Sequence, residues 1–321
     1  MKQFAKQFLS IIFVVLAFAG VCFCASACKK NKKPKLPSGL QSTEQNGATE
    51  PVISVYNTSS KTIEKMPIEN YVAGVVAGEM PNDFPAEALK AQAILARTYT
   101  LYFVANKSSK YKGADISNDI TEAQAYAPQN INDAIIEAVA ETQGKVLSVD
   151  GQYIEAWFHS NSGGQTATTA EGFSGSANQP EFVKSVSSPE TSQNAQNTVW
   201  STYLLRSEIL SALKNMGKNV DSVSKISVGT KGPSGRAITL VFGNTTVSAP
   251  EFRLAAGSTK IKSTLFTNIA VDSKGATFSG KGYGHGVGLS QWGAKVLAEK
   301  GSDAEDILHH YYKNINISDL Y

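Results

Sequence analysis

The chain has 321 residues, of which 42% are hydrophobic, enough for one large domain or two modest ones. Its formal net charge is +3, but seven lysines and no acids lie in the first 35 residues, so the remaining chain has 23 bases and 27 acids, a net charge of −4. This mildly acidic body argues against a nucleic-acid binder. All three cysteines lie within the first 28 residues, which excludes a disulfide framework and a Cys-based zinc site from the body.

Residues 8–28 contain no charged side chain and follow two lysines. As a helix of about 31 Å, this run is long enough to cross a bilayer. Three interpretations of this run are open. We favour a membrane anchor; the alternatives are a signal cleaved after Ala25-Ser26-Ala27 and a lipoprotein signal acylated at Cys28. Each interpretation places the body outside the cytoplasm, so residues 1–28 are predicted to be an anchor or signal segment at the cell membrane.

Residues 29–51 are basic and then rich in Ser, Gly and Gln, so they are predicted to form a flexible tether. A single domain is expected over residues 52–321. Apolar spacing and turn signals predict helices over 68–79, 86–104, 130–142 and 204–216, and two more after Ser290 and Ser302. Strands are predicted over 52–56, 145–159 (two strands around Asp150-Gly151), 226–228, 237–242, 246–247 and 269–271. The predicted fold class is α+β, with mixed short strands and with helices clustered toward both ends.

Glu79 ends the helix predicted over 68–79, in the sequence VVAGEMP. A carboxyl group after a run of small and apolar residues is expected to be partly desolvated. Desolvation raises its pKa, which suits a general acid. The alternative is a solvated Glu at a helix end, as most such residues are.

Lys90 and Arg97 lie two turns apart on one face of the next predicted helix, among Ala, Leu and Ile. In an apolar setting each cation needs a buried carboxylate or an anionic ligand. Alternatively, both side chains extend to solvent.

The segment YIEAWFHSNSGG reads as a strand that ends in a polar, Gly-rich loop. Alternation places four side chains on one face of the strand: Tyr153, Glu155, Trp157 and His159. The loop offers the hydroxyls of Ser160 and Ser162 for hydrogen bonds to sugars, with Trp157 as a stacking surface. The alternative is an ordinary capping loop.

Glycine occupies every second position from 280 to 288 in GKGYGHGVGLSQWGAK. An extended chain of this kind has one bare face, which a ligand or another backbone approaches closely. His285 lies on the opposite face, and Ser290 and Gln291 begin a helix whose free N–H groups can bind an oxygen atom. The run lacks the G-x-G-x-x-G pattern, so dinucleotide binding is not supported.

Together these segments resemble the SpoIID/LytB family. The matching stretches, in the family's order over residues 53–321, are IENYVAGVVAGEMPNDFPAEALKAQAILARTYTLY, AWFHSNSGGQT, VKSVSSPE, GKGYGHGVGLSQWGAKVLAEKG and DILHHYY. The resemblance implies a peptidoglycan lytic transglycosylase that acts on glycan strands during engulfment in sporulation. LytB-type members are instead enhancers of a wall amidase, and a pure glycan-binding module is a third interpretation.

The resemblance implies that Glu79 is catalytic and that eight residues bind substrate: Lys90, Arg97, His159, Ser160, Ser162, His285, Ser290 and Gln291. Some members hold zinc with a His and two cysteines, but this body has no cysteine, so we expect no structural zinc and no cofactor. The expected partners are glycan strands that lack stem peptides, a cell-wall amidase, other engulfment proteins and the membrane, with no nucleic acid. The catalytic domain is expected in the cell-wall space.

Overall fold

The computed structural model of the protein describes residues 32–45, 48–174, 179–220 and 223–321. The anchor or signal predicted over residues 1–28 lies outside these ranges. Among the described helices, none has the length and apolar character that a membrane crossing requires. Lys32–Tyr321 form one compact unit.

The described residues contain eight α-helices, fifteen short strands and a 3-10 turn, which confirms the predicted mixed α+β class. The helices are α1 (Ile68–Glu79), α2 (Ala86–Asn106), α3 (Asp133–Glu141), α4 (Thr169–Gly172), α5 (Arg206–Asn215), α6 (Ala249–Ala255), α7 (Gln291–Glu299) and α8 (Ala304–Tyr311). The strands are β1 (Gln41–Gln45), β2 (Ala48–Asn57), β3 (Thr62–Pro67), β4 (Ile116–Ser117), β5 (Lys145–Val149), β6 (Gln152–Tyr153), β7 (Phe158–His159), β8 (Val199–Leu205), β9 (Ile226–Val228), β10 (Thr239–Phe242), β11 (Thr245–Ser248), β12 (Phe266–Val271), β13 (Gly275–Lys281), β14 (Leu289–Ser290) and β15 (Asn316–Asp319).

The first hydrophobic core surrounds α2, which packs against α1, α3, α7, α8 and β5. Small and aliphatic residues line α2 on nearly every side, and Leu89, Ile94 and Leu101 are buried there. Pro85 directly precedes α2, where its missing N–H costs no hydrogen bond. The N-terminal and C-terminal segments of the described chain therefore share one core.

The second core lies between these segments in sequence. Strands β12, β13 and β8 form one antiparallel sheet and β11, β10 and β9 another, with α5 and α6 packed beside them. The rings of Phe242 and Phe278 lie 4.9 and 5.9 Å from that of Phe252 at the centre. The chain then returns to the first core through β14, which pairs with β7 in parallel.

Part of the predicted tether is ordered, which corrects the prediction for residues 41–45 and 48–51. Strand β1 pairs with β2 in the antiparallel sense, and β2 also pairs with β3 and β4. The buried Glu50 carboxylate accepts the N–H of Glu69 at 2.7 Å, at the start of α1. Backbone pairing of this kind tolerates a polar composition, so low hydrophobicity alone did not identify the strand.

Gly280 lies in β13, but the alternating glycines after it do not continue the extended strand, contrary to the prediction. Gly282, Gly284, Gly286 and Gly288 all have positive φ, between 73° and 112°. The expected close approach of another backbone is confirmed, because a Cβ on Gly288 would lie 1.9 Å from the carbonyl oxygen of Trp157. Glycine is therefore needed at this position for both its conformation and its lack of a side chain.

Candidate active site

A cleft of about 560 Å³ opens at the C-terminal end of α1. The N-terminal helices, the segment after β6 and the glycine-rich run all contribute to its walls. The lining residues are Glu79, Tyr99, Ala123, Gln124, Glu155, Ala156, Trp157, Phe158, Phe173 and His285. The cleft therefore combines two carboxyl groups with aromatic faces, a combination suited to a carbohydrate.

Glu79 is partly buried in this wall. Its Oε1 accepts the main-chain N–H of Ala125 at 2.6 Å, and the Gln291 side chain also hydrogen-bonds to it. Burial raises the pKa of Glu79 to about 7, although these two hydrogen bonds act to lower it. Burial dominates because the ionised carboxylate loses more hydration than two donors restore. Near neutral pH a large fraction of the side chain is protonated, as a general acid requires.

The small residues of α1 explain why Glu79 has this environment. A Cβ on Gly74 would lie 2.3 Å from the ring of Tyr126, and one on Gly78 would lie 2.8 Å from the backbone of Ala125. Glycine at both positions lets the segment around Ala125 pack directly on the helix. This close packing shields Glu79 and places the Ala125 N–H at its carboxylate.

His285 lines the cleft, whereas His159 is buried behind the wall. The Nδ1 of His285 accepts the N–H of Val287 at 3.1 Å, its ring hydrogen-bonds to the backbone of Phe158, and the ring lies 4.8 Å from that of Phe173. Burial lowers the pKa of His159 to about 3 and holds the pKa of His285 well below its ordinary value. Both rings are therefore neutral, and His285 presents an apolar surface to the cleft.

Two of the predicted substrate-binding serines bind a buried carboxylate instead of lining the cleft. Glu190 accepts the Ser162 N–H at 2.7 Å, the Ser162 hydroxyl at 2.5 Å and the Ser290 hydroxyl at 2.6 Å, and also the hydroxyl of Ser188. Ser290 also caps α7 by accepting the N–H of Gly293. This N–H, expected to be free to bind an oxygen atom, therefore already has an acceptor. These contacts fix the loop that follows β7 and carries Ser162.

The backbone of Ser160 joins this loop to α7, since its carbonyl oxygen accepts the N–H of Trp292 at 3.1 Å. Ser160 does not line the cleft. Gln291, by contrast, meets the site directly: it is nearly buried, contacts Glu79 and donates to Gln92 at 3.4 Å. Of the predicted polar contacts in this region, Gln291 is the one that reaches Glu79.

Lys90 and Arg97 do not line the cleft, which corrects the predicted placement. Arg97 is fully buried and forms a two-pronged ion pair with Glu69, at 2.7 and 2.5 Å. Lys90 pairs with Glu87 at 2.7 Å and with Glu141, beside a different cavity. A buried guanidinium requires such a partner, and carboxylates of the same chain pair with both cations.

The sequence patterns did not identify Tyr99 and Gln124 as residues of the cleft. They also did not identify the supporting role of Glu190. Strand alternation places Glu155 on the same face as Trp157, but the sequence assigns it no function. Trp157 lines the cleft, where a stacking surface was expected. Within the described ranges, no three His, Cys, Asp or Glu side chains are grouped as metal ligands would be.

Comparison with known proteins gives two family matches. Residues 56–148 match the model described as Stage II sporulation protein, and residues 152–288 match a domain of unknown function. Stage II sporulation protein D of Bacillus amyloliquefaciens is 35% identical, with 83% of this chain and 78% of that protein covered. The protein of the same name from Bacillus subtilis is 33% identical, over 83% and 79%. An amidase enhancer of Bacillus subtilis is 32% identical over 76% of this chain and 40% of that protein.

Proposed function

Because the chain belongs to the SpoIID/LytB family, we propose that it is a lytic transglycosylase that cleaves peptidoglycan glycan strands between N-acetylmuramic acid and N-acetylglucosamine. The observation that carries the proposal is the partly buried Glu79, whose pKa is raised to about 7 within an aromatic-lined cleft. The names of the relatives support a setting in spore formation, and we propose engulfment as the step.

The proposed reaction uses Glu79 twice. Protonated Glu79 donates its proton to the glycosidic oxygen as the bond to C1 of the muramic acid breaks, which leaves an oxocarbenium-like centre. The Glu79 carboxylate then takes the proton of the C6 hydroxyl of the same sugar. The C6 oxygen bonds to C1 and forms a 1,6-anhydro end, so no water is consumed. The N–H of Ala125 and the side chain of Gln291 stabilise the intermediate carboxylate.

The aromatic walls suit the neutral faces of such a substrate. Trp157 and Phe173 lie 5.1 Å apart between ring centres, and His285 continues the surface. Sugar rings present C–H groups to aromatic faces, while glutamate and glutamine side chains bind their hydroxyls and amides. Lys90 and Arg97 of α2 are both ion-paired with carboxylates of the chain. We therefore assign neither of them a contact with the carboxylate of the muramic acid.

Product analysis tests the proposal. The full chain is incubated with glycan strands from which stem peptides have been removed, and the ends are analysed by mass spectrometry. We expect anhydro ends, lighter by one water than hydrolysed ends, from the wild type and from Glu137→Gln, an exposed control on α3. Glu79→Gln should produce none. Hydrolysed ends alone, or equal anhydro product from Glu79→Gln, would refute the proposal.

A second candidate function is enhancement of a wall amidase, which the name of one relative favours. An enhancer would keep the cleft and the fold but would not need the Glu79 proton. We expect a purified amidase to be stimulated by Glu79→Gln as strongly as by the wild type if enhancement is the function.

For either function we propose that the N-terminal segment holds the domain at the membrane, outside the cytoplasm and facing the cell wall.

A further inference from the structure

A second carboxyl group, that of Glu155, lines the same cleft as Glu79 but has no role in the reaction described above. Its side chain is 19% exposed and its Oε1 pairs with the ammonium group of Lys107. The hydroxyl of Tyr102 also hydrogen-bonds to it. A carboxylate held in this way is a fixed negative group in the wall of the cleft.

Lys107 is itself held in place from several directions. It follows the last residue of α2, and its N–H bonds to the carbonyl oxygen of Phe103 at 2.7 Å. Its ammonium group lies 5.8 Å from the ring centre of Tyr99 and 5.5 Å from that of Tyr102, within cation–π range. The cation is therefore fixed beside Glu155 by contacts on the same helix.

Both carboxyl groups act on Tyr99. It lines the cleft with both of them, and the charges of Glu155 and Glu79 both contribute, after burial, to raising its pKa to about 12. Burial, not the charge of Glu155, is the main cause of the raised pKa of Glu79. The cleft thus holds one carboxyl group whose environment favours the protonated form and one that is ion-paired, and such a division often separates two chemical roles.

We propose that Glu155 is a second functional carboxylate, which stabilises the positive charge that develops on the sugar ring while Glu79 transfers the proton. This inference rests on the proposed function. A preorganised charge placed where the opposite charge develops lowers the barrier without reorganisation. Lys107 is a positioning residue that fixes the carboxylate, and Glu155 forms no bond to the sugar, so the anhydro product is unchanged.

The test compares two probes by calorimetry below neutral pH, with the full chain. The first is the cationic iminosugar 2-acetamido-1,2-dideoxynojirimycin, which carries its charge near the ring position of an oxocarbenium ion. The second is the neutral N-acetylglucosamine tetramer. Glu155→Gln should weaken iminosugar binding about tenfold, the effect of a lost charge pair, and leave tetramer binding unchanged. Glu155→Asp should retain part of the preference, Lys107→Met should reduce it, and Glu137→Gln should not change it.

Turnover supplies a separate readout. On glycan strands, Glu155→Gln should lower kcat about 100-fold with little change in KM, and Glu155→Asp should restore part of it. If Glu155→Gln binds both probes as the wild type does, the inference is overturned, whatever the turnover. If the wild type makes no anhydro ends but Glu155→Gln still loses the iminosugar selectively, the proposed function fails and the cation-stabilising role of Glu155 is supported.

Discussion

The main-chain nitrogen of Ala125 lies 2.6 Å from Oε1 of Glu79, to which its N–H donates. The segment that carries Ala125 packs against α1 where the helix has glycine. This donor favours the ionised carboxylate, yet burial prevails and the pKa of Glu79 rises to about 7. The same arrangement therefore supports both forms of the side chain: burial favours the proton before transfer, and the donor stabilises the carboxylate afterwards.

Replacing Glu79 should change how stability depends on pH. Glu79 binds its proton more tightly in the folded chain, since its pKa there is about 7 against an ordinary value of 4.5. Its stabilising contribution is fully present below about pH 4.5 and is lost as the pH rises through about 7. Glu79→Gln removes that loss, so we expect the unfolding free energy of the variant, relative to that of the wild type, to rise by about 3 kcal/mol from low pH to high pH.

Urea unfolding of both proteins at about pH 5 and about pH 8 measures this effect. A difference between wild type and variant that is the same at both pH values would show that the Glu79 pKa is not raised by folding.

Glu190→Gln should destabilise the loop after β7 that carries Ser162. The substitution removes the charged acceptor shared by the hydroxyls of Ser162, Ser188 and Ser290. Hydrogen bonds to a buried charge are strong, so the unfolding free energy should fall by about 2–3 kcal/mol. Glu181→Gln, at an exposed position, should change it by less than about 0.5 kcal/mol. Equal values for the two variants in thermal unfolding would contradict this role of Glu190.

Gly288→Ala and Gly301→Ala separate backbone conformation from space. Both glycines have positive φ, 73° and 93°, but a Cβ on Gly288 would meet the Trp157 carbonyl oxygen and one on Gly301 would meet nothing within 4 Å. Gly301→Ala should cost about 1 kcal/mol through conformation alone. Gly288→Ala should cost more than about 3 kcal/mol or prevent folding. Comparable losses in denaturant unfolding would argue against the close approach.

Arg97→Met and Lys90→Met test whether these cations serve the fold. Arg97→Met leaves the Glu69 carboxylate without its buried partner and should lower the unfolding free energy by about 3–5 kcal/mol. Lys90→Met, on a partly exposed pair, should leave stability within about 1 kcal/mol and KM for glycan strands unchanged. A large rise in KM for Lys90→Met at unchanged stability would restore the substrate-binding role that the family resemblance implied.

The helix over residues 68–79 was predicted with its observed ends, because its apolar spacing and Met80-Pro81 are local signals. The same local signals place Glu79 at the end of this helix. Glu87, three residues before Lys90 on the same helix, is a local partner, but Glu69, Glu141 and Glu190 reach Arg97, Lys90 and Ser162 only through tertiary packing and were not predictable. The glycine run showed that a close approach was needed, but its spacing could not distinguish an extended strand from a series of left-handed turns.

The most direct test of the central claim is the titration of the Glu79 carboxyl carbon by NMR in the full chain, assigned by the loss of its signal in Glu79→Gln. The account predicts a midpoint of about 7, well above the ordinary value of 4.5. A midpoint near 4.5 would mean that Glu79 is ionised at neutral pH and cannot serve as the proton donor proposed here.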